Sequence, residues 1–319
     1  VLSVWFEIKH PAQITMSVSD PLADESQFNS QEPTSSDLSS DQEFWVQFWG
    51  VRGSVPTPGN RTVRYGGNTS CVEMRLGKQR LIFDGGTGLR VLGMSLLKEM
   101  PVKAYLFFSH THWDHIQGFP FFVPAFIPVN QFHIYGGITP TGTTIYDRLC
   151  DQMNNPNFPV PIQVMQSEMK FHDIIPGDTI TLEDNIIIET APLNYPNVAV
   201  GYRITWQGQT AVYCPDTEHF PDRMDENVLR LARNADLLIY DATYTNEEYY
   251  DHHAPKIGWG HSTWEVGVAI AKEAGVKQIV MFQHDPSHDD NFLDQVQADV
   301  KTQFTNGLVA REGMCLKLH

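Results

Sequence analysis

Apolar and polar positions alternate through EFWVQFWG at 43–50, the two-residue period of a half-buried strand. CVEMRL at 71–76 and QRLIFD at 79–84 continue as strands, with Gly77 and Lys78 as the turn between them. After Asp84-Gly85-Gly86 the spacing changes to that of a helix over LRVLGMSLLKEM. The run KAYLFF at 103–108 is apolar after Lys103, as a strand buried on both faces must be. QFHIYG predicts another strand and TTIYDRLCDQM a helix. Four further strands are predicted over NIIIETAPL, AVGYRITW, QTAVYCP and ADLLIYDA. A helix over TWEVGVAIAKEAG then leads into a last buried strand, KQIVMFQ. Strands first and strand–helix alternation afterwards predict two packed sheets with helices outside.

Two segments do not follow this pattern. Residues 17–42 are rich in Ser, Asp, Glu and Pro, without Lys or Arg, and cannot bury enough apolar surface to offset the entropy of ordering. We therefore expect a disordered acidic tail over 1–42 and one folded domain over 43–319. Residues 1–15 lack the basic start and long apolar core of a secretory signal, and one reading takes Met16 as the true start. Residues 119–172 are rich in aromatics and Pro, and two readings stay open: a roof over a pocket that stacks on a nucleobase, or core and subunit interface.

Charge narrows the partners. Lys and Arg total 22 against 38 Asp and Glu, a net charge of -16. Binding to a polyanion needs positive charge that displaces counterions, so this balance argues against nucleic acid and for a small ligand. Mean hydropathy is -0.28 and no apolar run is long enough to span a bilayer, so no membrane association is expected. Cys71, Cys150, Cys214 and Cys315 lie far apart without a CxxC pair, which points to buried thiols in a reducing cytoplasm.

The chemistry concentrates in Ser109-His110-Thr111-His112-Trp113-Asp114-His115, directly after a buried strand. Three imidazoles and a carboxylate are costly to bury unless something pairs with them, and a divalent cation is the natural partner. This HxHxDH run resembles that of the metallo-β-lactamase superfamily, with single ligands at later strand ends. The resemblance covers about residues 44–300 and implies a four-layer αββα sandwich with two divalent ions, zinc first among the candidates, then manganese or iron. By the same resemblance His110 and His112 serve the first ion and Asp114 and His115 the second. Asp216 bridges both, His284 closes the second site, and Asp84 orients ligands. The family places a histidine before a Gly-Tyr-Arg strand; here Tyr195 stands at that position, ahead of Gly201-Tyr202-Arg203. Three outcomes stay open: coordination as a phenolate whose pKa the metal lowers, a water in the gap, or a weakened first site with lost or altered activity.

Within the superfamily, His261-Ser262-Thr263 resembles the motif of the transfer-RNA 3′-processing endonucleases and related phosphodiesterases. There the histidine contacts the scissile phosphate and an acid orients it; Asp241 matches that acid. Ser262 and Glu265 also have capping-box spacing. The segment FWGVRGSVPTPG through RYGGNTSCVE resembles a bacterial group of metal-dependent hydrolases related to cyclic-nucleotide phosphodiesterases. It makes Arg52, Asn68 and Thr69 candidate pocket residues, with turn geometry as the competing explanation for its glycines. In the same group's HDPSHDD segment, His288 and Asp289 read either as supports behind the metal ligands or, by preference, as a helix N-terminus at the surface. The expected function is a phosphodiesterase acting on a small phosphodiester such as a cyclic nucleotide. In it a metal-activated hydroxide attacks phosphorus and His261 protonates the leaving oxygen. The alternatives are an acyl hydrolase, such as a lactonase or thioesterase, on the same metals, and a non-catalytic ligand sensor. Homodimerisation is expected at the level of the family.

Overall fold

The computed structural model describes residues 42–197 and 199–319. The acidic tail and the Met16 start fall on residues 1–41, outside the described ones, apart from Gln42 in a turn.

Fourteen described strands form two seven-stranded sheets. In the first, β1 (Phe44–Gly50), β2 (Cys71–Leu76) and β3 (Gln79–Phe83) pair antiparallel, with β14 (Cys315–Lys317) outside β1. On the other side of β3, the strands β4 (Lys103–Phe108), β5 (Gln131–Gly137) and β6 (Glu168–Ile174) are parallel. The second sheet repeats this arrangement. Here β7 (Thr179–Thr181), β8 (Ile187–Pro192), β9 (Val200–Trp206) and β10 (Gln209–Cys214) are antiparallel. Beyond β10, the strands β11 (Leu237–Asp241), β12 (Gln278–Phe282) and β13 (Gly307–Val309) run parallel.

Alternation sorts each strand between two cores. Tyr105 and Phe107 of β4 join Phe44, Phe48, Phe83, Tyr202, Tyr213 and Phe282 between the sheets. Ala104, Leu106 and Phe108 face outward onto α1 (Thr87–Leu96) and α3 (Ile145–Gln152). The outer face of the second sheet packs on α4 (Glu226–Ala232), α6 (Trp264–Glu273) and α7 (Asp290–Gln303). The result is the expected four-layer αββα sandwich.

Local differences from the sequence reading have physical causes. The aromatic insertion is core on its buried side: Phe119, Phe122 and Phe132 fill the outer cluster beneath α1. Thr263, not Ser262, caps α6, accepting from Val266 N, while Ser262 Oγ pairs with Tyr240 OH and His219 Nδ1. Asp289 caps α7 as expected, accepting from Asn291 N and Phe292 N.

Candidate metal centre

Strand ends from both sheets converge on the loop after β4. Ser109 directly follows that strand, and the four-residue helix α2 (Trp113–Ile116) carries Asp114 and His115 inward. Gly86 makes this approach possible, since a Cβ there would lie 2.2 Å from the Asp114 carbonyl oxygen. Asp84 holds the loop from below. Its Oδ1 accepts from Ser109 N at 2.7 Å, and its Oδ2 from Ser109 Oγ, His115 Nδ1 and Tyr213 OH, each at 2.8 Å. Because Tyr213 belongs to β10, this carboxylate also ties the two sheets together.

His110, His115 and Asp216 each present one ligand atom within 4.8 Å of one another. Asp216 Oδ1 lies 3.1 Å from His115 Nε2, and Oδ2 lies 3.7 Å from His110 Nε2. His112, half-buried, pairs through Nδ1 with Tyr195 OH at 3.1 Å. The Tyr195 ring sits edge-on to His110 and His112, with centroids 4.9 and 5.2 Å away. The tyrosine therefore enters the cluster where the family pattern has a histidine. Burial first, then Asp216 and Asp114, push its phenol pKa up, so without a cation the hydroxyl keeps its proton.

A cation fits these residues. His110 Nε2 and both oxygens of Asp216 are buried without a hydrogen-bond partner, and buried polar atoms are rarely left so. Asp84, Asp114, Asp216 and Asp241 are all buried here, and no lysine or arginine pairs with any of them in the described structure. Burial would lower the His115 pKa, yet Asp216, Asp114 and Asp84 outweigh it and raise it well above the usual histidine value. The pocket thus favours positive charge, from protons or from a metal ion held by imidazole and carboxylate.

Two sequence expectations are corrected. His284 turns away from the cluster: its Nε2 donates to the Ala310 carbonyl at 2.8 Å, and its ring meets the edge of Tyr65. The neighbouring Gln283 faces the cluster instead, with Nε2 2.9 Å from Asp114 Oδ2 and 3.1 Å from His115 Nε2. Gln283 has φ 65°, a left-handed conformation that breaks strand alternation and so exchanges the sides of the two residues. Arg52, Asn68 and Thr69 are likewise used internally rather than opening into a pocket. Buried Arg52 donates to the carbonyls of Gly66, His288 and Asp285 at 2.8, 2.6 and 3.2 Å. Asn68 pairs with Glu312 through its backbone N and its Nδ2, and Thr69 Oγ1 accepts from Thr87 N at the start of α1. What the 48–59 loop does supply is Ser54, whose N–H donates to Asp114 Oδ2 at 2.8 Å.

Asp241 and His261 form the expected pair, with Nδ1 donating to Asp241 Oδ2 at 2.9 Å and lying 3.9 Å from Asp216 Oδ2. Thr217 N, Thr243 N and Thr243 Oγ1 fill the remaining acceptor positions of Asp241. Burial alone would lower the His261 pKa, but Asp241 and then Asp216 raise it to about 9.

The family described as the beta-lactamase superfamily domain matches residues 79–284, most of the described fold. Ribonuclease Z of Methanosarcina acetivorans is 27% identical, over 86% of this chain and 97% of that protein. Among solved structures, the metallo-beta-lactamase fold protein YhfI from Bacillus subtilis is 19% identical with a TM-score of 0.63, covering 86% of this chain and 99% of that one. Human tRNase Z, short form, is 18% identical with a TM-score of 0.61, covering 86% of this chain and 99% of that one. At these identities the two structures speak for the fold alone. No described helix is long and apolar enough to cross a membrane.

Proposed function

The chain belongs to the beta-lactamase superfamily, and on that premise we propose that this metal-dependent hydrolase cleaves a small phosphodiester such as a cyclic nucleotide. A divalent ion held by His110 and Asp216, with His112 as third ligand by the family resemblance, would supply Lewis-acid stabilisation of the phosphoryl oxygens and a more acidic water; zinc is first among the candidates.

The observation that carries this reading is the His261–Asp241 pair, facing Asp216 from the rim of the cluster. Asp241 fixes the proton on Nδ1 and leaves Nε2 to exchange a proton with the leaving oxygen. An alkoxide leaving group needs that proton in the transition state, whereas a thiolate does not. Asp84 holds His115, and Tyr195 lies between His112 and His261, with its ring centroid 5.3 Å from that of His261.

The relatives named Ribonuclease Z favour RNA as a second substrate class, against the charge argument from the sequence. The neighbouring surface supports the small substrate. Beside Tyr244, whose ring centroid lies 6.2 Å from that of His261, a cleft of about 660 Å³ is lined by Glu247, Glu248, Asp251, Glu265, Asp285 and Asp299 with Lys256 as its cation. Such a wall repels a polyanion.

Turnover of bis(p-nitrophenyl) phosphate and of an aryl thioester by the metal-loaded chain tests the reading. Preference for the diester is expected, with rates that change little between low and physiological salt. Preference for the thioester would replace it by acyl transfer. A steep salt dependence accompanied by cleavage of a structured RNA would replace the small substrate by RNA.

A further inference from the structure

The polar atoms of the cluster fall into two sets. His110 Nε2 and both Asp216 oxygens are buried and have no hydrogen-bond partner. Around Asp114, by contrast, Oδ2 and the neighbouring His115 Nε2 already have partners without an ion. Asp114 Oδ2 accepts from Ser54 N and from Gln283 Nε2 at 2.8 and 2.9 Å. The amide is oriented from behind, because Ser70 Oγ donates to Gln283 Oε1 at 2.6 Å. That leaves the two N–H bonds of Nε2 pointing forward, one to the Asp114 carboxylate and one to His115 Nε2 at 3.1 Å. With the ion beside Asp216 supplying the positive charge, His115 carries a single proton, on Nδ1 toward Asp84, and accepts at Nε2. Reversing the amide would set its oxygen against an acceptor-only carboxylate and its nitrogen against the serine hydroxyl.

Gln283 is fully buried, and its position is tightly set. A Cβ on Gly53 would approach its side chain to 3.1 Å, so the 48–59 loop closes directly over it. Three non-glycine residues with left-handed backbone, Ser54, Asp84 and Gln283 (φ 63°, 60° and 65°), each direct a donor or acceptor onto Asp114 or His115. Such conformations cost free energy and cluster where the fold over-determines a site.

We propose that Gln283 makes this centre mononuclear: its amide NH2 bridges Asp114 and His115 in the place of a second cation, and a single divalent ion binds on the side of His110 and Asp216. The amide is neutral, so the ion on the His110 side remains the counter-charge for the buried carboxylates. Asp114 then acts as a positioning residue that anchors the amide, and carries no ion of its own. This rests on the reading of the cluster as a metal site, and the experiment below separates the two.

The full chain is stripped with chelator, saturated with zinc or manganese, and its tightly bound metal counted by mass spectrometry. One ion per chain is expected. Manganese should give the hyperfine signal of an isolated ion, not the exchange-coupled spectrum of a pair. Gln283→His should raise the count to two. Asp114→Asn, which keeps shape and needs no refolded pocket, should leave it at one, whereas Asp216→Asn should abolish tight binding. Two ions on the unaltered chain, or loss of one ion on Asp114→Asn, would overturn the mononuclear assignment while leaving the metal site intact. A Gln283→His variant that folds and still holds one ion would overturn the role given to Gln283. No tightly bound ion on any variant would overturn the metal reading itself, and the inference with it.

Discussion

Asp84 Oδ2 accepts the Nδ1 proton of His115 at 2.8 Å, and this contact fixes which edge of the imidazole faces Asp114, Asp216 and Gln283. Through Ser109, whose Oγ lies 3.1 Å from His110 Nδ1, the same carboxylate also backs the ligating His110, and such a partner sets a ligand's tautomer and raises its basicity. Asp84→Asn should therefore weaken metal binding by about 10- to 100-fold. Isothermal titration of the stripped protein with zinc checks this; unchanged affinity would make the contact purely structural.

His261 is expected to act late, when the leaving oxygen gains charge. His261→Ala should slow diesters with alkoxide leaving groups by about 10²- to 10⁴-fold, the usual range for a lost general acid. Diesters of p-nitrophenol, which depart without a proton, should slow far less. Paired kcat measurements on the two classes decide this, and equal slowing would remove the proton-donor role.

Tyr195 stands among His110, His112 and His261 with a protonated hydroxyl. Tyr195→His puts a neutral imidazole at the same place and should tighten zinc by about tenfold or more, a gain of at least ~1.4 kcal/mol. Competition with a chelator of known affinity measures it. Unchanged affinity would mean that residue 195 does not reach the ion.

Arg52 is assigned to the fold, since its guanidinium donates to three carbonyls beneath the 48–59 loop. Arg52→Met should destabilise the chain by roughly 3 kcal/mol, because each buried carbonyl left unpaired costs about 1–3 kcal/mol and relaxation recovers part. A thermal or denaturant midpoint reads the loss. A variant of native stability with a raised KM would restore Arg52 to the substrate.

The centre of the fold was legible because its strands are apolar runs with clear ends, as in KAYLFF and ADLLIYDA. The short edge strands β13 and β14 and the long helix α7 were not read, since their sequences are mixed and their burial depends on neighbours. At the site, the HxHxDH loop, Asp216 and the Asp241–His261 pair all sit where local sequence put them. Gln283 and His284 could not be sorted by alternation, because a left-handed residue at a strand end reverses it and no pattern of polarity announces that. Arg52 and Asn68 were misread for a related reason. A polar residue beside glycines looks the same whether it faces substrate or closes a turn, and only the carbonyls and Glu312 that accept from them tell the difference.

Hydrolysis of bis(p-nitrophenyl) phosphate by the full chain, followed through chelation and metal return, tests the account most directly. Activity should vanish with chelator, return with zinc or manganese, and fall by several orders of magnitude in Asp216→Ala and His112→Ala. Hydrolysis that survives chelation, or near-native turnover in either variant, would contradict it.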